Sequence, residues 1–210
     1  MEELLRSLEK TIEQKNWYAA LIMTITLPDI AGHIDSPTDD SQKRYVKWFD
    51  EYIKQKYPTT NKVYYGIEGL VFGVTQAHTS KPFFITGEEC YAIRCTILHE
   101  GSYKINGQQV LKNMKDDSLN IIDRVADCVR FTFEDNTTNA EYATIQFIGN
   151  QNILQINVSQ FCIDIKDGLY KWMEDIKLQP AKQERLKQSL KIFTYSNLHR
   201  YQQLKIPRWA

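Results

Sequence analysis

Arg94 and His99 are the residues whose types and spacing are best suited to chemistry, and both lie in the segment TGEECYAIRCTILHEGS, residues 86–102. Cleavage of RNA without a metal needs a base for the ribose 2′-hydroxyl, an acid for the leaving oxygen and a cation for the charged phosphorane. Histidine titrates near neutrality and can serve as the base or the acid. Arginine keeps its charge and offers phosphate oxygens a fixed fork of donors, which suits the third role.

The segment that carries the pair has the end signals of one helix over about residues 86–100. Thr86 can cap its start, Glu89 occupies the acidic position of a capping box, and Gly101 can close its end. Five residues along a straight α-helix turn through roughly 500°, so Arg94 and His99 would point about 140° apart. They converge only if the helix end unwinds near Gly101 or if two chains share the site.

An arginine and a histidine separated by four residues, late in a helix, resemble the R-x4-6-H motif of the HEPN superfamily. The resemblance implies a metal-independent endoribonuclease without cofactor, acting as a homodimer with its site between two protomers. Arg94 would bind the scissile phosphate and His99 would be the general acid or base. It also implies a toxin or anti-phage effector, restrained by an inhibitory or regulatory protein partner. Cys95 departs from the family, which often has Asn, Asp or His there.

Neighbouring residues give further candidates, and each has a structural alternative. Cys95, Glu89 and Glu100 are possible supporting residues of the site, although acids early in a helix also stabilise its N-terminus. Arg94 could instead neutralise Asp29, because an aspartate in an apolar helix needs a cation or several donors. His99 could instead interact with the helix C-terminus. The alternative function is then a noncatalytic helical protein-interaction module.

The C-terminal tail, residues 195–210, is aromatic and basic and is a candidate contact for RNA or a protein partner. Its cations include Arg200, Lys205 and Arg208. Docking of the tail onto its own domain, or onto a second copy, is the alternative.

Composition limits the remaining classes of protein. The 210 residues contain 26 basic and 26 acidic side chains, whereas proteins that coat nucleic acid are usually basic. The N-terminal sequence has no signal-peptide core and no run is apolar enough for a membrane span, so we expect a cytoplasmic protein without membrane contact. Neither the four histidines nor the four cysteines (Cys90, Cys95, Cys128 and Cys162) have metal-site spacing, and we expect no metal and free thiols.

Periodicity predicts a mainly α fold, a bundle of about five or six helices in one domain over 1–210, with a small antiparallel β-hairpin or sheet inserted at about 123–158. The segment around Gly66, Gly69 and Gly73 lacks the pattern of a phosphate-binding loop and receives no assignment. The predicted helices are 2–15, 17–34, 42–57, 86–100, 158–176 and 181–193, and the predicted strands are 127–134, 142–148 and 153–158.

Overall fold

The structure is a computed structural model, and helices are its main elements. They are α1 (Glu2–Glu13), α2 (Trp17–Asp35), α3 (Ser41–Tyr52), α4 (Gly87–Cys95), α5 (Gln109–Lys112), α6 (Val158–Asp175) and α7 (Pro180–Lys187), with a 3-10 turn at Lys54–Lys56 and a π-helical turn at Thr96–Glu100. The described residues are 1–57, 62–67, 70–76, 85–112, 114, 126–132, 143–148 and 151–188. Within these ranges, no helix combines the length and apolar character that crossing a bilayer requires.

Local capping sets the helix starts as the sequence indicates. The Asn16 side chain accepts a hydrogen bond from Ala19 N at the start of α2. At the start of α4, Thr86 and Glu89 form the complete predicted capping box. Gly101 closes the π-helical turn in the left-handed conformation, with φ of 59°, which glycine adopts without a steric cost. The predicted ends of the motif helix are therefore confirmed.

The sheet accompanies the helices as predicted, but it is larger and mixed. Its strands are β1 (Lys62–Ile67), β2 (Leu70–Gln76), β3 (Cys128–Thr132), β4 (Ala143–Ile148) and β5 (Gln151–Asn157), in the order β2-β1-β4-β5-β3. β4 and β5 form the predicted antiparallel hairpin, and β3 joins β5 in parallel. β1 and β2 form a second antiparallel hairpin, for which the sequence predicts no element, and β1 extends the sheet in parallel to β4.

One apolar core joins the helices to the sheet. Trp48 and Phe49 of α3, Trp172 of α6 and Leu154 of β5 are all buried in it. The aromatic face of α3 therefore belongs to the core. Helices α2, α3 and α4 pack against one another beside this core, and they carry the residues of the candidate site.

Candidate active site around Arg94 and His99

Close contacts between three helices set the framework of the site. A Cβ on Gly32 would lie 2.7 Å from the Arg44 carbonyl oxygen, so α2 and α3 approach as closely as a glycine permits. A Cβ on Gly87 would likewise lie 2.7 Å from the Val46 carbonyl oxygen, where the start of α4 meets α3. These contacts hold Asp29 on α2 beside the basic residues of α3 and α4.

Asp29 is the hub of the site. One carboxylate oxygen accepts a 2.7 Å hydrogen bond from Arg94 Nη2, and the other accepts 3.0 Å and 3.2 Å bonds from Arg44 Nε and Ser41 Oγ. The side chains of Asp29 and Arg94 are each 14% exposed. Such charge-assisted bonds at low exposure are strong, because little water competes for the groups. The proposed pairing of Arg94 with Asp29 is present in the structure.

Arg94 keeps unused hydrogen-bonding capacity. Its guanidinium carbon lies 5.6 Å from the centre of the Tyr91 ring, so the cation rests against an aromatic side chain. Burial raises the pKa of Tyr91, which keeps this ring neutral. Arg94 Nε is buried without a hydrogen-bond partner, and no described residue accepts a bond from Nη1. The aspartate therefore orients the guanidinium without saturating it.

The π-helical turn changes where His99 points. A π turn of about 4.4 residues advances each residue by roughly 80°, which reduces the separation between Arg94 and His99 from about 140° to roughly 70°. Residues Thr96–Glu100 form this turn immediately after α4. The helix end thus unwinds next to Gly101. This is one of the two conditions under which Arg94 and His99 were expected to converge. π-helical turns occur frequently at functional sites.

His99 is exposed, and no described residue forms a hydrogen bond or ion pair with it. The Gly101 N–H, and not the imidazole, bonds the Thr96 carbonyl at the helix end. The proposed interaction of His99 with the helix C-terminus is therefore not present as a hydrogen bond. The imidazole is accessible to a ligand or to a second chain.

The other predicted site residues have separate positions. Glu89 is buried in the capping box, where its carboxylate accepts the Thr86 N–H at 3.0 Å, so it is not available to a substrate. Glu100 is exposed and accepts a 2.7 Å bond from Gln108 Nε2. Cys95 is a half-buried free thiol. The tail residues Arg200, Lys205 and Arg208 lie outside the described residues.

Sequence reasoning missed Arg44 and Ser41, which complete the coordination of Asp29. Their sequence signal is weak, since both occupy the first turns of an amphipathic helix where polar residues are ordinary.

Among the described residues, no group of three or more His, Cys, Asp or Glu side chains is placed to hold a metal ion.

Comparisons of the chain with protein-family models, with curated proteins and with solved structures find no match. The likeness to the HEPN superfamily therefore rests on the motif and its setting alone.

Proposed function

We propose that the chain is a metal-independent endoribonuclease whose reactive residues are Arg94 and His99. The observation that carries this proposal is the π-helical turn. By ideal helix geometry the turn reduces the angle between His99 and Arg94 to roughly 70°. The imidazole is exposed and has no partner among the described residues. A histidine needed only for folding would more often be buried or hydrogen-bonded.

The proposed reaction is attack of the ribose 2′-oxygen on the adjacent phosphorus. A base takes the 2′-hydroxyl proton, the phosphorus–O5′ bond breaks, and an acid protonates the departing O5′. The products are a 2′,3′-cyclic phosphate and a 5′-hydroxyl end. Arg94 stabilises the additional negative charge on the phosphorane with its Nη1 group, because Nη2 bonds Asp29 and Nε is buried away from the substrate.

One histidine cannot be base and acid at the same instant, so the proposal includes a homodimer. In a two-fold dimer, His99 of one protomer and the partner's His99 face the same phosphate and divide the two proton transfers. Two-fold symmetric dimers are also the commonest oligomers. The dimer is tested by light scattering after size exclusion, and a monomer at assay concentration contradicts this part of the proposal.

The second candidate is the noncatalytic interaction module, and a specific observation favours it. The 2.7 Å bond between Arg94 and Asp29, at 14% exposure of both side chains, is what a structural role for Arg94 requires. In that case Arg94 matters only as the partner of Asp29, and substituting either residue has the same consequence.

Comparison of Arg94→Met with Asp29→Asn separates the two candidates. Both variants break the same ion pair, but only Arg94→Met removes the guanidinium. The ribonuclease proposal predicts that Arg94→Met and His99→Ala lose at least a hundredfold in cleavage rate, whereas folded Asp29→Asn retains measurable cleavage. Absence of cleavage by wild type, with an equal loss of stability in the Arg94 and Asp29 variants and none in His99→Ala, supports the structural role.

Chemical analysis of the ends gives a second readout. The proposed mechanism predicts 2′,3′-cyclic phosphate ends in EDTA, and 5′-phosphate ends would contradict it. Lys177→Ala, an exposed substitution just after α6 and outside the motif helix, is the matched control and keeps full activity.

A further inference from the structure

A cleft of about 500 Å³ opens between α2, α3 and the end of α7. This volume lies in the range of small-molecule sites. Neither Arg94 nor His99 contributes to its walls. Among the described residues, those that line it are Asp29, Ile30, His33, Ile34, Arg44, Arg185 and Gln188.

The two arginines of the cleft are anchored in the same manner. Arg44 Nε donates to Asp29 Oδ1 at 3.0 Å, and Arg185 Nε donates to the Ile34 carbonyl oxygen at 2.6 Å. Both side chains are half-buried. The terminal amino groups of both have no hydrogen-bond partner among the described residues. Each guanidinium is thus held in place through one nitrogen while its fork of donors remains available for an anion.

The local charge of this region is positive although the chain as a whole is neutral. Asp29 is bonded by Arg94 from α4 as well as by Arg44, so its single negative charge meets two arginines before Arg185 is counted. The lining itself carries two arginines against one aspartate, which leaves one formal positive charge, and Arg94 behind the wall shares that aspartate. The whole chain balances 26 basic against 26 acidic residues. The cleft therefore favours an anion over a neutral ligand.

The α2 wall of the cleft also carries apolar side chains. Half-buried Ile30 lines the cleft from α2, whereas Ile34, four residues later, borders it with only 3% of its surface exposed. Exposed His33 stands beside them and adds a planar ring. A wall of this kind suits the ribose and base of a nucleotide, whereas inorganic phosphate or sulfate would leave it without a contact.

We propose that this cleft binds a nucleotide, with its phosphate held by the terminal amino groups of Arg44 and Arg185 and its ribose and base against Ile30 and the exposed ring of His33. The phosphate belongs either to a free mononucleotide or to a strand of RNA. The site does not depend on the ribonuclease proposal, because its binding groups are separate from His99 and its test measures binding only.

The test is calorimetric titration of the full chain in the His99→Ala background, which prevents RNA turnover. The ligands are adenosine 5′-monophosphate, a six-nucleotide RNA, and adenosine as the probe without phosphate. We expect the phosphate-bearing ligands to bind and adenosine to bind at least tenfold more weakly. Equal affinity for RNA and the mononucleotide identifies a free-nucleotide site, and stronger binding of RNA identifies a strand-binding site.

Variants locate the binding in the cleft. Arg44→Gln and Arg185→Gln each remove one fork, and each is expected to weaken binding of the mononucleotide at least tenfold. His33→Glu keeps both arginines but adds a carboxylate at an exposed position of the cleft wall, so it weakens binding without disturbing the anchors. Arg6→Gln removes an exposed arginine of α1 that pairs with Glu2, and it is the control with unchanged affinity.

Three results would overturn the proposal: no binding of either phosphate-bearing ligand at millimolar concentration, adenosine bound as tightly as its monophosphate, or unchanged affinity in the Arg185→Gln and His33→Glu variants. Because no cleavage is measured, a failed nucleotide site leaves the ribonuclease proposal standing. Conversely, if the chain binds the mononucleotide but cleaves no RNA, the nucleotide site is supported and only the ribonuclease proposal fails.

Discussion

Replacement of Asp29 by asparagine tests the hub of the helical framework. The substitution keeps the shape of the side chain and removes its charge. Two arginines then face a neutral amide. Its oxygen can accept a hydrogen bond from one arginine, while its NH2 group lies against the other and cannot accept one. Arg94 and Arg44 each lose a charge-assisted bond, at 2.7 Å and 3.0 Å respectively.

The expected cost follows from the number and exposure of these bonds. A hydrogen bond to a charged group contributes about 1.5–3 kcal/mol, and the remaining amide oxygen recovers part of one bond. The three side chains are 14–20% exposed, so water compensates only partly for the lost charge. We expect Asp29→Asn to lower the free energy of unfolding by about 3 kcal/mol, in the range for breaking a buried ion pair.

Urea unfolding followed by circular dichroism measures this change, with Asp39→Asn as the control. Asp39 pairs with exposed Lys43 one turn away, and a surface pair of this kind contributes less than about 1 kcal/mol. A double-mutant cycle with Arg94→Met should show a coupling energy of about 1.5 kcal/mol or more between Asp29 and Arg94. A loss in Asp29→Asn no larger than in the control, or a coupling energy near zero, would refute the reasoning.

Three further predictions concern stability and are measured by the same unfolding experiments. Gly87→Ala places a Cβ 2.7 Å from backbone and should cost about 2 kcal/mol, whereas Gly107→Ala meets nothing within 4 Å and should cost less than about 0.5 kcal/mol. Thr86→Ala removes the capping-box oxygen and should cost about 1 kcal/mol; no change would contradict the capping geometry. Burial raises the pKa of Cys90 to about 12 and that of Cys162 to about 11, so both thiols stay neutral in the fold while the unfolded chain ionises above its ordinary value of 9.0. The stability they provide is present below pH 9 and falls by about 1.4 kcal/mol per pH unit for each thiol between pH 9 and 11. The fall should be shallower in Cys90→Ala, and the same fall in Cys90→Ala as in wild type would exclude the Cys90 contribution.

The helices and their ends were predictable because their signals are local. Asn16, Thr86 and Gly101 act through hydrogen bonds and dihedral angles within a few residues of themselves. The β1–β2 hairpin was not predicted, since its support comes from far along the chain: β1 pairs in parallel with β4, for example Val63 with Ile145. Parallel pairing leaves no turn signal between the two strands.

The candidate site was also predictable only in part. The pairing of Arg94 with Asp29 was open to prediction as an alternative, because an aspartate within an apolar helix needs a cation. The roles of Arg44 and Arg185 were not, since they depend on where α3 crosses α2 at Gly32 and on the docking of α7 beside the end of α2. The amino-acid sequence carries no local signal for either of these two helix contacts.

The most direct test of the central claim is cleavage of a mixed RNA pool in EDTA by wild type, His99→Ala and Arg94→Met, with folding of each confirmed by circular dichroism. The proposed ribonuclease mechanism predicts that wild type produces fragments with 2′,3′-cyclic phosphate ends and that both folded variants lose at least a hundredfold in rate. Wild-type cleavage that persists unchanged in folded His99→Ala would contradict the claim that Arg94 and His99 form the reactive site.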